Sequence, residues 1–182
     1  MAKQQKKINW KAIVAVLLIV AFLGSYLASL FGHRNLHVGG TESVTSTTST
    51  VASTEPPFVK NGELSFLAAA DRRPIKRIAI EIADNDARRE QGLMYRKSMA
   101  DTNGMLFLFP TSEPQNFWMH NTYIPLDIIY VDENRTIVTI ARNCKPLNDD
   151  NIPSYKNAQY VVEVNGGFCD KYGIKEGDVV SF

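Results

Sequence analysis

Residues 117–132 read FWMHNTYIPLDIIYVD, and the second half of that stretch decides the fold. After Pro125, the side chains of Leu126, Ile128 and Tyr130 project to one side of an extended chain, and those of Asp127, Ile129 and Val131 to the other. Apart from Asp127, both sets are apolar. A strand with hydrocarbon on both faces is covered on both, so LDIIYV belongs at the centre of a sheet. Asp127 then sits near the buried end of a face that otherwise accepts only apolar groups. A carboxylate in that position must be paired, hydrogen-bonded or protonated.

Asp127 has two readings. In one it pins the irregular FWMHNT loop by accepting amide hydrogen bonds from it. In the other it lines a pocket with Arg96, brought in by the GLMYR turn, and with Asn121 and Trp118. Trp118 likewise either packs into the core beside Phe117 and Met119 or offers an aromatic platform to a glycan or peptide ligand. Glu163 shares a strand face with Val161 and Asn165, and with Asp127 forms the one carboxylate pair to consider for hydrolytic acid–base work. His120 is the other candidate partner for Asp127. A lone His is not a metal site, and His33 and His37 lie far away in the chain, so no metal and no cofactor is expected. The sequence has no Ser-His-Asp order around a nucleophile turn, no phosphate-cradling glycine loop and no dinucleotide fingerprint.

Working outward, KRIAIEIAD alternates, with Ile78, Ile80 and Ile82 on one face of a half-buried strand. Asp84 or Asp86 can cap a short helix through Arg88, Arg89 and Glu90, stopped at Gly92. GMLFLF is an apolar strand from Met105, and Phe117 opens another short extended piece. TIVTIAR (136–142) and QYVVEVN (159–165) are further strands. Asn165 can cap a brief helix ending at Gly173. GIKEGDVVSF then gives a turn, suited by Gly173 and Gly177 and braced by Asp178, and a last strand. The expected domain, residues 74–182, is an α+β, β-rich fold: a small, partly closed barrel with one or two short helices.

Ahead of it, residues 12–32 carry no charged side chain and are long enough to cross a bilayer as one helix. The lysines at positions 3, 6, 7 and 11 form a basic tail (residues 1–11) that places the N-terminus in the cytoplasm and the domain outside it. A cleaved signal peptide is the rival reading, disfavoured by the length of the apolar run. Residues 33–73 are a flexible stalk, GGTESVTSTTSTVASTEPP at its centre, and a lead-in (58–70) to which no structure is assigned. From Pro56 onward 15 Lys and Arg face 17 Asp and Glu, so the domain shows no basic stripe for nucleic acid. Cys144 and Cys169, an even pair outside the cytoplasm in this topology, are expected to form a disulfide closing a loop of about 24 residues, worth roughly 3 kcal/mol.

The blocks RREQGLMYR, NGMLFLFP, FWMHNTYIPLDIIYVD, QYVVEVNGG and YGIKEGDVV, in that order, resemble the "domain of unknown function 192" family. The resemblance implies a small β-rich extracytoplasmic domain, often behind a signal or anchor segment, and brings no activity with it. The residues therefore point to a membrane-anchored binding or envelope-associated module without catalysis, with a glycan, a peptide or an envelope protein as ligand. The alternative is a small hydrolase of an envelope polymer using Asp127 with Glu163 or His120.

Overall fold

The computed structural model describes residues 55–182. The basic tail, the apolar segment at 12–32 and most of the stalk lie outside them. Among the described residues no helix is long and apolar enough to cross a membrane.

Among the described residues seven strands and two short helices follow in the order β1 (Gly62–Leu67), β2 (Pro74–Ala83), α1 (Asp86–Gln91), β3 (Asn103–Phe117), β4 (Leu126–Val131), β5 (Ile137–Cys144), β6 (Ile152–Asn165), α2 (Phe168–Tyr172) and β7 (Val179–Ser181). They build one sheet in the order β5-β4-β6-β3-β2-β1-β7. Only β2 and β3 run parallel, and the connection between them carries α1. The sheet is a half-barrel whose two edge strands meet at one end. There Thr136, just before β5, bridges Val179 of β7, and the Ile137 N–H donates to the Asp178 carbonyl at 2.8 Å.

All six residues of β4 are buried, as hydrocarbon on both faces requires. Ile129, Val131 and Asp127 face a core built with Leu64, Phe66, Ile80 and Val162 and closed by Phe168 and Ile174. Leu126, Ile128 and Tyr130 face a second core, which the 93–99 turn and the 117–124 loop cover through Leu93, Met119 and Ile124.

The lead-in at 58–70 supplies a strand. Leu64 and Phe66 alternate into the first core, and β1 pairs with both β2 and β7. Phe117 ends β3 and opens no separate piece, while β6 starts at Ile152, well before Gln159. The long β3–β6 ladder shifts register between Leu108 and Glu113 and again after Pro114. The two prolines that obscure the pattern, Pro110 and Pro114, fall at those irregularities. Where β3 crosses β6, a Cβ on Gly104 would lie 2.8 Å from the Glu163 carbonyl oxygen, so the approach requires glycine.

Both helix starts differ from expectation. Asn85, and neither Asp84 nor Asp86, caps α1, its Oδ1 accepting from the Arg88 N–H at 3.0 Å. Asn165 does not cap α2, because it closes β6 and donates its amide to the Met99 carbonyl at 2.8 Å. The residue at the cap position is Gly167, which has no side chain to offer, and the acceptor arrives from β4 instead.

Candidate functional site

That acceptor is Asp127. Fully buried, it takes the Asn143 N–H (2.8 Å) and the Gly167 N–H (3.1 Å) on Oδ1 and the Cys169 N–H (2.8 Å) on Oδ2. The residue is an internal acceptor, but the reading that it pins the FWMHNT loop fails: its partners are the end of β5 and the start of α2, and none is in that loop. Three amide bonds use most of what a carboxylate can accept, and they leave Asp127 no opening to a ligand.

Glu163 lies on the other face of the sheet. In the β4–β6 ladder it stands opposite Ile128, whereas Asp127 stands opposite Val164, and alternate positions point to opposite sides. Asp127 and Glu163 therefore cannot flank one bond, and the carboxylate pair expected for hydrolysis does not form. His120 does not meet Asp127 either, since its Nδ1 bonds Asp149 Oδ1 at 2.6 Å at the protein surface.

The same separation governs the cysteines. Cys144 belongs to the second core and Cys169 to the first, with the sheet between them, and both are free thiols. The expected disulfide is absent for that reason. Burial, with Asp127 and Glu163 nearby, pushes the Cys144 thiol up to about 11. Burial, reinforced by the Asp127 charge, raises that of Cys169 further. Both are inert packing groups at neutral pH.

Arg96 is also placed elsewhere. Its guanidinium is buried against Glu81 of β2 (Nη2 to Oε2, 2.5 Å) and reaches the Pro57 carbonyl at 3.4 Å. Glu81 accepts the Val59 N–H on its other oxygen at 3.0 Å. Arg96 thus fastens residues 57–59 to the sheet and takes no part in a pocket with Trp118. Asn121 serves the loop: at φ 51° it donates through Nδ2 to the Tyr95 hydroxyl at 2.9 Å, while its carbonyl accepts the Tyr95 N–H at 2.8 Å. The left-handed backbone at Asn121 and Tyr95 is held by this reciprocal pair.

Three of the expected residues do come together. Trp118, His120 and Glu163 line a cleft of about 250 Å³ between α1 and the 117–122 loop. Trp118 is 50% exposed, so it is a surface residue and the core-packing reading of it fails. Its ring lies 5.1 Å from that of His120, at a 30° tilt, and the two form the outer wall. Phe107 and Phe117, in edge contact at 5.0 Å, form the inner wall. Arg89 closes the side, its guanidinium bonded to the Leu108 carbonyl (2.7 Å) and Asp86 (2.6 Å) and lying over Phe109.

Glu163 lines the cleft at its deep end. It is 4% exposed, and its carboxyl makes no hydrogen bond to any described residue. Loss of hydration raises it to about 8, so it is a neutral acid at physiological pH. The sequence pointed to Glu163 but not to Arg89, Phe107 or Gln115, which also line the cleft. Phe107 was legible only as part of an apolar strand, and Arg89 only as part of a short helix. Among the described residues no three His, Cys, Asp or Glu side chains gather where they could hold a metal ion.

Residues 67–182 match the model of the DUF192 family, described as "Uncharacterized ACR". No curated protein matches the chain. Two solved structures are similar. One, from Sinorhizobium meliloti 1021, is described as a "putative transcription regulator"; it is 35% identical with a TM-score of 0.63, over 69% of this chain and 97% of that one. The other, from Novosphingobium aromaticivorans DSM 12444, is described as a protein of unknown function; it is 31% identical with a TM-score of 0.63, over 79% of this chain and 100% of that one. With the family model covering well over half of its length and the five sequence blocks falling inside the matched region, the chain belongs to the DUF192 family.

Proposed function

We propose that this domain is a non-catalytic ligand-binding module, held outside the cytoplasm by the apolar segment at residues 12–32 and facing glycan or peptide material of the cell envelope. The observation that carries the reading is the half-exposed Trp118, stacked on His120 over a cleft with aromatic walls. A rigid indole in that position offers contact area at little cost in entropy, which suits capture better than packing. The hydrolytic alternative has no such support, because its two carboxylates face opposite sides of the sheet. No nucleic-acid partner is proposed, since the domain carries more acid than base.

The test is co-sedimentation of the detergent-solubilised full-length chain with purified cell-wall fragments. Trp118→Ala is expected to weaken retention about tenfold, the scale of about 1.4 kcal/mol, while the melting temperature stays put. Undiminished retention would contradict the reading, and so would a variant that no longer folds.

A further inference from the structure

We infer that the cleft of this binding module recognises a ligand through an ammonium group, which enters between the rings of Trp118, Phe107 and Phe117 and pairs with the carboxyl of Glu163. The inference rests on the binding reading above and names the ligand chemistry of that same site.

Glu163 is the reason. It is more than nine-tenths buried, lines the cleft, and is without a hydrogen-bonding partner among the described residues. Its oxygens are not sealed in the core, since Arg96 Nε is the one buried side-chain N or O atom without a partner among the described residues; they open onto the cleft, where a ligand can supply the missing partner. A mere packing position on this face would be filled by a residue like Val161 or Ile128 beside it. A carboxyl lodged among aromatic rings matches one ligand chemistry better than others. The faces of the rings attract a cation, and the acid supplies its counter-charge. The cleft volume, about 250 Å³, is below the usual range for whole drug-sized ligands and suits a single inserted side chain or amine terminus. The charge balance agrees: Arg89 is already engaged with Asp86, and Glu90 as well as Glu163 lines the cleft.

Binding by this route releases a proton. The neutral acid and R–NH3+ become a carboxylate paired with R–NH3+, and one H+ goes to solvent. Affinity therefore rises with pH, by about tenfold per unit, until Glu163 is ionised without the ligand. The other ionisable groups around Glu163 are accounted for. Tyr130 of β4, raised by burial, donates its hydroxyl to the Ile152 carbonyl at 2.5 Å, and the Cys144 thiol of β5 stands at about 11, so both stay neutral in the range used. Arg89 and Glu90 come from α1, and His120, bonded to Asp149, from the loop.

Among the described residues Trp118 is the only tryptophan, so in the full-length chain carrying Trp10→Phe its fluorescence reports the site. The probes are N-acetyl-lysine amide and its neutral analogue N-acetyl-norleucine amide, titrated in detergent between pH 5.5 and 7.5. The expected result is preference for the lysine probe and a Kd that falls about tenfold per pH unit in the wild type. Glu163→Gln is expected to abolish both. Calorimetry of the wild type in buffers of different ionisation enthalpy is expected to show one proton released per probe bound, a readout that needs no variant. Equal binding of the two probes, affinity that falls with pH, or no saturation with the lysine probe at tens of millimolar overturns the inference. Equal binding leaves the cleft standing as a site for neutral ligands. Loss of cell-wall retention and of all probe binding together removes the binding reading itself.

Discussion

Asp127→Asn is expected to lower the unfolding free energy by roughly 3–5 kcal/mol, read from the urea midpoint at constant slope. The side chain is fully buried and accepts three backbone N–H groups from two separate segments. Hydrogen bonds to an ionised acceptor are worth about 1.5–3 kcal/mol each. Asparagine keeps one oxygen and turns an N–H2 group toward at least one of the N–H donors, so a favourable contact becomes a clash of like dipoles and leaves a donor unsatisfied. The damage should be greatest at the N-terminus of α2, where Gly167 offers no side-chain cap. Amide exchange at Gly167 and Cys169 is therefore expected to accelerate more than at β2. A loss under 1 kcal/mol would mean that the three donors find other acceptors.

Arg96→Ala is expected to cost a similar 3–5 kcal/mol, through a different mechanism. The variant leaves the carboxylate of Glu81 buried with one amide, from Val59, and no counter-charge. Removing both partners as Glu81→Leu with Arg96→Met is expected to restore most of the stability, because a buried ion pair gains little over hydrocarbon of similar shape. A double variant no more stable than Arg96→Ala, measured in the same denaturation experiment, would show that the loss does not come from the uncompensated Glu81 carboxylate.

The different outcomes for Asp127 and Arg96 show what a linear sequence conveys. The pattern of β4 was decisive because burial on both faces leaves a local signature of alternation without polarity. That Asp127 had to be satisfied internally follows from the same pattern. Which donors satisfy it does not, since Asn143, Gly167 and Cys169 come from the end of β5 and the start of α2, 16, 40 and 42 residues away. The sequence offers Arg96 only to the Asp127 pocket, and nothing local points it to Glu81, whose place beside it is set by the parallel pairing of β2 with β3. The cysteine pair fails for a related reason: the spacing allows a bridge, and only the sheet between the two residues forbids it. Strand β1 was legible in principle, as Leu64 and Phe66 alternate, but a six-residue strand beside a Ser/Thr-rich stalk gives a weak signal. The cleft lies furthest from sequence, because its walls come from α1, β3, β6 and the 117–122 loop.

At the centre is Glu163, an acid kept neutral at the deep end of an aromatic cleft. Its titration can be followed in the ligand-free full-length protein by difference infrared spectroscopy of the carboxyl band against Glu163→Gln. The expected midpoint is about 8, well above the ordinary Glu value of 4.5. Because the folded protein then binds the proton more tightly than the unfolded chain, this group's contribution to stability is full below pH 4.5 and declines as pH rises toward 8, a trend Glu163→Gln should lack. A midpoint between 4 and 5 would mean that water or a partner already satisfies the carboxyl, and the cleft would have no acid waiting for a ligand.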